Sequence, residues 1–363
     1  MRITVAGENL KKALGLSEKI VNRNTTLPIL NNVLLRTENG RLKVSATNLE
    51  VGINCFIGSK IDEAGEIAVP AKIFSNLVYN MKDDKLTLTA KNNILHINSQ
   101  KHKTQILGLS GQDFPIIPKI KSEPVTTLPA KLLKSGLSAV MDAASSSEAR
   151  PELSGIYIYN ANGFVYFVAT DSFRLAEKKI SLQLKKPIKI ILPRPTAGEF
   201  IRICSEIEGD VDVYIHENQI AIENDDIEVV SRLIEGSYPD YARIIPENFK
   251  TKIILAKEEM ENSIRLAGLF SSHVSDITIK ARTDNLEVTA KNSDKGEIEE
   301  KIGALIDGDD FEITLNYNYL LDGLKTIMTP NVVLEFTGPG SPLVLKPHHD
   351  KPDSTYLVMP LRT

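Results

Sequence analysis

A buried helical stripe that returns at a fixed distance constrains this chain more than any other feature. Phe74, Leu77, Val78 and Met81 recur 123 positions later as Ala197, Phe200, Ile201 and Cys204, and after another 123 positions as Leu320, Gly323, Leu324 and Ile327. Offsets of 0, 3, 4 and 7 put four residues on one face of an α-helix, the face that packs inward. A related phrase stands ahead of each stripe: Val69-Pro70-Ala71, Leu192-Pro193-Arg194 and Leu315-Asn316-Tyr317. The 363 residues therefore read as a unit of about 121 residues written three times. The expected domains are residues 1–121, 122–247 and 248–363. Such a repeat favours a surface presented several times over a single catalytic pocket.

Composition narrows the class. A chain of this length exceeds what one core usually holds, and its apolar and charged fractions, 42% and 25%, are those of a soluble globular protein. No apolar run approaches the roughly 18 residues of a membrane span. Met1-Arg2-Ile3-Thr4-Val5 reads as a strand and not as an export signal, so the expected location is the cytoplasm. Cys55 and Cys204 are too few for a disulfide framework, and Cys204 occupies a core slot of the stripe.

Each third opens with a strand and a helix. The first helix, from Asn9 to about Val21, is expected to bury Leu10, Ala13, Leu14, Ser17 and Val21 and to turn Lys11, Lys12 and Lys19 outward. The second is expected near Thr127 as N-cap, burying Leu133, Leu137, Val140 and Met141 and exposing Lys131 and Lys134. The third starts near Lys257, with Glu258, Glu259 and Glu261 in a first turn where the helix dipole favours acids. Hairpins follow around Glu38-Asn39-Gly40, Asn160 to Gly163 and Thr283 to Asn285. The links at Pro118 to Pro124 and Pro246 to Lys252 are short. Two helices and about eight antiparallel strands per unit make the class α+β, with the helices on one face of the sheets.

No catalytic or metal constellation emerges. His348-His349-Asp350 lacks further ligands at useful spacing, the acidic runs Asp307 to Asp310 and Asn224 to Asp226 lack a calcium loop's alternation, and Gly338-Pro339-Gly340 reads as a turn between strands. No cofactor is expected. The net charge of −4 argues weakly against nucleic acid, yet Lys11, Lys12, Lys72, Lys131, Lys134, Arg194, Arg202 and Lys325 recur on equivalent helices. Aligned on one surface, they would form a strip able to follow a phosphate backbone.

Several phrases, in order along the whole chain, resemble the bacterial sliding clamps, the beta subunits of DNA polymerase III. They are residues 26–32 (Thr-Leu-Pro-Ile-Leu-Asn-Asn), Val69-Pro70-Ala71-Lys72, residues 168–176 (Val-Ala-Thr-Asp-Ser-Phe-Arg-Leu-Ala), Tyr238-Pro239-Asp240-Tyr241 and residues 356–362 (Tyr-Leu-Val-Met-Pro-Leu-Arg). The resemblance implies a head-to-tail homodimer closed into a ring, with helices lining the hole and duplex DNA passing through without sequence readout. It implies a non-catalytic processivity factor for DNA replication that tethers the polymerase III catalytic subunit, the clamp loader, other polymerases and repair proteins.

These partners would bind through short peptides in a pocket between the second and third domains. The matching positions are Leu153, Thr170, Arg174, Leu175, Pro239, Arg243, Ile244, Val358, Met359, Pro360, Leu361 and Arg362. Ser172 stands where some members have glycine. For DNA the resemblance points to Lys72, Arg150 and Arg194, with Arg23 beside an arginine slot held here by Asn24. It sets the dimer seam between Thr104 and Ile106 of one protomer and Leu269 and Phe270 of the other, with Thr104 less apolar than the usual residue. The residues alone leave two alternatives open: a metal-dependent enzyme on nucleic acid, and a peptide-binding scaffold that ignores DNA.

Overall fold

A computed structural model describes residues 1–21, 27–147, 149–282 and 285–361. Arg23, Asn24, Thr26, Arg362 and the turn expected at Thr283 lie outside the described residues. Contacts divide the chain into two compact units, Met1–Ala130 with Arg202–Leu233 and Lys131–Ile201 with Ile234–Thr363. The middle third of the chain thus contributes to both.

Six α-helices lie among the described residues: α1 (Gly7–Glu18), α2 (Ala71–Asn80), α3 (Ala130–Ser138), α4 (Arg194–Cys204), α5 (Lys257–Leu269) and α6 (Tyr317–Thr326). Each begins at the residue after a strand ends, so the six starts share one strand-to-helix corner. At α1 that corner requires glycine: the Gly7 amide donates to Asp84 O at 2.8 Å, and a Cβ there would stand 2.4 Å from the Asp83 carbonyl oxygen. Thr127 lies inside the strand Thr126–Pro129 and is not an N-cap; its hydroxyl donates to Asp212 across the strand pair. Lys252 likewise belongs to a strand, Thr251–Ala256, and not to a linker.

The repeated stripe is core. Phe74, Val78, Ala197, Phe200, Leu320 and Leu324 are fully buried. In α4 the burial rotates slightly, with Ile203 fully buried and Ile201 only half-buried. In the first unit α1 packs on α2 and on the strands Arg41–Thr47 and Val51–Glu63; in the second, α5 packs on α6 and on Asn285–Asn292 and Gly296–Gly303. Type I′-like turns close two of the expected hairpins: Asn39 and Gly40 have φ of 49° and 75°, and Asn162 and Gly163 have φ of 52° and 80°.

The first unit carries one antiparallel sheet of 12 strands and the second carries sheets of nine and four. Strands distant in sequence close both large sheets. Val51–Glu63 pairs with Ile227–Arg232 in the first unit, and Arg174–Ser181 pairs with Ser354–Val358 in the second. No helix among the described residues is long and apolar enough to cross a membrane.

Both cysteines are buried, and burial pushes the Cys55 thiol up to about 11. At pH 8 only about a thousandth of such a thiol is thiolate, the reactive form. Native protein at pH 8 is therefore expected to leave Cys55 unlabelled by a thiol reagent that labels it fully in denaturant. Mass spectrometry showing rapid native labelling of Cys55 would contradict this packing.

Candidate functional site

In the second unit a tight turn joins the strands Phe164–Thr170 and Arg174–Ser181. Thr170 holds it from inside, its hydroxyl donating to Arg174 O at 2.7 Å and accepting from the Ser172 amide at 3.2 Å. Asp171 Oδ1 accepts from the Phe173 and Arg174 amides at 2.9 and 3.0 Å. Ser172 takes φ 77°, a left-handed conformation that glycine adopts freely.

Arg174 begins the next strand and is bound on three sides. Its Nε donates to Asp171 Oδ2 at 3.0 Å and its Nη1 to Asp322 Oδ2 at 2.5 Å, while its guanidinium lies 4.4 Å from the Tyr319 ring centroid. Burial opposes its charge, but the Tyr356 hydroxyl and the Asp322 and Asp171 carboxylates outweigh that and raise its pKa. This side chain is thus tied into the fold at the edge of the site, held by Asp171, Asp322 and Tyr319. Asp322 and Tyr319, which hold it, carry no local signal in the sequence; only Asp171 lies within a recognisable phrase.

The chain's last strand runs antiparallel beside it, with Val358 opposite Arg174. Met359 N then donates to Phe173 O at 2.8 Å and Leu361 N to Thr314 O at 2.9 Å, which lays Met359, Pro360 and Leu361 half-buried along the surface. Leu153, Thr170, Leu175 and Val358 are buried beneath, 0–6% exposed, and form the support of the site. Pro239, Arg243 and Ile244 are exposed. Arg243 meets Asp240 at 2.6 Å with its side chain 85% exposed, so among the described residues it is a solvent-facing rim cation.

The segment carrying Pro239 and Ile244 is anchored by Tyr238 and Tyr241, which the sequence displays only as part of a phrase and not as site residues. Tyr241 and Leu175 share one core cluster, against which Tyr238 and Met359 also pack. Tyr241 donates to Glu177 Oε2 at 2.5 Å; with its single proton so used, it accepts from the Tyr159 hydroxyl at 2.7 Å. Burial, and then the bond to Glu177, hold the Tyr241 hydroxyl far above its ordinary pKa. Tyr238 stacks on Tyr157 with centroids 4.9 Å apart. Two exposed apolar or proline positions and a half-buried tail thus surround a floor of Leu and Tyr, an arrangement suited to an extended peptide with apolar anchors.

The cations differ in how far they are engaged. Lys72 is exposed on α2, and no hydrogen bond or ion pair engages it among the described residues. Arg194 lies 4.0 Å from Asp142 and Arg150 lies 3.1 Å from Glu152. Lys11 pairs with Glu8 at 2.8 Å and Lys325 with Asp322 at 2.7 Å. Lys12 donates to Glu206 O at 3.2 Å, and Arg202 Nη2 donates to Leu16 O at 2.9 Å. The last bond sits in the final turn of α1, where the helix dipole favours a cation, so Arg202 has a structural role. Among the described residues no group of three or more His, Cys, Asp or Glu is placed to hold a metal ion.

Thr104 and Ile106 lie on Lys103–Leu107, an edge strand paired only with Ile94–Asn98. Thr104 is half-buried and Ile106 is 7% exposed, while Leu107 faces out at 71%. In the second unit Leu269 ends α5 at 64% exposure. Phe270 is half-buried with its ring beside Gly296, where another edge strand, Gly296–Gly303, begins. That edge is acidic at Glu297, Glu299 and Glu300, whereas the first carries Lys101 and Lys103.

Comparison with known proteins gives one result along the entire chain. Residues 1–118, 127–240 and 242–362 match the N-terminal, central and C-terminal domains of the DNA polymerase III beta subunit. The beta sliding clamp of Staphylococcus epidermidis RP62A is 28% identical over 377 residues, and that of Staphylococcus aureus Mu50 is 29% identical over 378; each alignment covers 100% of both chains. The crystal structure of the DNA polymerase sliding clamp from Bacillus subtilis superposes with a TM-score of 0.95 at 26% identity, covering 100% of this chain and 99% of that one. The DNA polymerase III subunit beta from Pseudomonas aeruginosa gives the same TM-score and identity, with 100% of both chains covered.

Proposed function

Because the chain belongs to the DNA polymerase III beta subunit family, we propose that it is a sliding clamp that encircles duplex DNA as a homodimer and tethers the replicative polymerase to it. The observation that carries this reading is the match of all three clamp domains over the full length, with the same three-domain fold. Its role is that of a processivity factor and not of a catalyst. Domain boundaries at 1–121, 122–247 and 248–363, and action in the cytoplasm, are part of the proposal.

A tether that slides needs contact with phosphates and not with bases. Lys72, Arg150 and Arg194, with Arg23, are the proposed contacts. Lys72 contributes most, because among the described residues no ion pair engages its side chain. Lys72→Glu combined with Arg194→Glu is expected to lower clamp-dependent synthesis on primed DNA by about tenfold or more at physiological salt. Equal synthesis by the double variant would remove these residues from the DNA surface.

The groove flanked by residues 239–244 and 358–361 is proposed to receive extended peptides from the polymerase III catalytic subunit, the clamp loader, other polymerases and repair proteins. Ile244 and Met359 would supply apolar walls and Arg243 a rim cation. The homodimer seam is proposed to join the basic edge Lys103–Leu107 of one protomer to the acidic edge Gly296–Gly303 of its partner, with Leu269 and Phe270 beside it. Among the described residues neither edge has a second neighbour, and exposed edges demand one.

The deciding experiment loads the protein onto nicked circular DNA with a clamp loader, filters at high salt and then linearises the circle. Retention on circles and loss on cutting is expected, because a topological link survives salt that removes phosphate contacts. Loss from both forms, with the loader active on a control clamp, would overturn the ring.

A further inference from the structure

The turn that builds the peptide groove in the second unit is built a second time in the first. Thr47 Oγ1 donates to Val51 O at 2.9 Å and accepts from the Leu49 amide at 3.0 Å, while Asn48 Oδ1 accepts from the Glu50 and Val51 amides at 3.0 and 2.8 Å. These are the bonds made by Thr170 and Asp171, each 123 positions later. Leu49 has φ 75° where Ser172 has 77°. The neighbouring strand arrives in the same register, Val51 opposite Ser231 as Arg174 is opposite Val358. The bond that fastens it also recurs: Arg232 N donates to Glu50 O at 3.1 Å as Met359 N donates to Phe173 O at 2.8 Å.

The opposite wall corresponds as well. Pro115 precedes Ile116 and Ile117 as Pro239 precedes Asp240 and Tyr241. Ile117 lies over Gly52, 2.7 Å from where a Cβ would stand, just as Tyr241 packs with Leu175. Between these walls is a cavity of about 220 Å³, with Thr47, Leu49, Ile116, Ile117 and Arg232 in its lining. That is smaller than the roughly 300 Å³ at which sites for whole small molecules begin, and it suits one or two side chains of a longer ligand.

What differs is the chemistry of the rim. Leu49 and Ile116 are 49% and 93% exposed, where the second unit has Ser172 and Asp240. A leucine at positive φ is unfavourable for the backbone, so this apolar side chain is displayed against local preference. Arg232 is exposed, and no ion pair engages its side chain among the described residues; Glu50 also lines the cavity.

We propose that the first unit carries a second docking groove, formed by Leu49, Ile116, Ile117 and Arg232, for an extended peptide of a partner protein that brings an aliphatic anchor and a carboxylate. The anchor enters between Leu49 and Ile116, and the carboxylate meets Arg232. The inference rests on the peptide-binding reading of the second unit's groove, since the shared backbone device is what links them. A clamp with two grooves per protomer could hold two peptides of different rim chemistry together, with the gain in effective concentration that linked sites provide.

The test is methyl NMR on the full-length protein, titrated with a synthetic hexapeptide containing leucine, phenylalanine and one aspartate. Ile116 and Ile117 methyls report on the first groove, and Ile244 and Met359 methyls on the second. Saturable shifts at Ile117 are expected in the native chain and in Ile244→Asp, with affinity about tenfold weaker in Ile116→Asp or Arg232→Glu. Both changes are at exposed positions, and unchanged methyl signals of Ile53 and Val229, buried in the same unit, verify that its fold stays in place. Shifts confined to Ile244 and Met359 would overturn this inference and leave the second unit's groove intact, whereas no shift at either groove would overturn both readings. Shifts at Ile117 that vanish in Ile244→Asp, or that follow protein concentration without peptide, would also overturn it, the last by showing a second copy of the chain as the occupant.

Discussion

Replacing Leu269 and Phe270 together by alanine is expected to yield monomers. Leu269 is 64% exposed at the end of α5, and the two side chains would bury most of their remaining apolar surface only against a partner. Fully burying a Leu or Phe contributes about 1.5–3 kcal/mol; with Leu269 64% exposed and Phe270 already half-buried, a seam that loses both weakens by about 2–3 kcal/mol, on the order of a hundredfold in Kd. The intramolecular effect is smaller, because Leu269 makes little of the core. Sedimentation velocity should show the slower species at concentrations where the native chain dimerises, with a similar melting temperature for both. An unchanged dimer would place the seam elsewhere. If the edge strands contribute as proposed, raising salt should loosen the native dimer as well, since Lys103 and Glu299 are exposed and screened.

The second large effect concerns Arg174. Substitution by methionine keeps an unbranched apolar stem and removes the charge, leaving Asp171, whose side chain is 15% exposed, without its cation and Asp322, 23% exposed, held by Lys325. Removing one partner of a buried ion pair typically destabilises by about 3–5 kcal/mol. Partial exposure places the expectation at the lower end, about 3 kcal/mol, read from the denaturant midpoint. Arg174→Lys should recover only part of this, because a single ammonium cannot span both carboxylates and stack on Tyr319. Peptide affinity at the second unit's groove should fall in parallel, because Met359 hangs on the Phe173 carbonyl next to Arg174. An unchanged midpoint would show that this network is not a structural tie.

The two compact units explain why some of the site was legible and some was not. The stripe at Phe74, Phe200 and Leu320, the Asn-Gly turns and the burial of Cys204 follow from short-range periodicity and turn chemistry, which a sequence displays directly. Thr127 misled because a hydroxyl ahead of an amphipathic run suits an N-cap and a strand pair equally, and only the presence of Asp212 opposite decides. The engagement of Arg174 was not legible for a related reason. Its partner Asp322 is 148 positions away, and a charge in sequence does not reveal whether solvent or a carboxylate will face it.

By itself the sequence determined a threefold α+β repeat, its helical faces, its hairpin turns and, through phrases spread over the whole chain, its family. Local backbone preference and the burial of apolar side chains act over a few residues and leave a readable period. Tertiary structure alone decided that Val51–Glu63 pairs with Ile227–Arg232 and Arg174–Ser181 with Ser354–Val358, and so that the turns at Leu49 and Ser172 face equivalent grooves. Sheet pairing is made by backbone groups that every residue carries, so the partner of a strand is selected by the packing of the assembled fold.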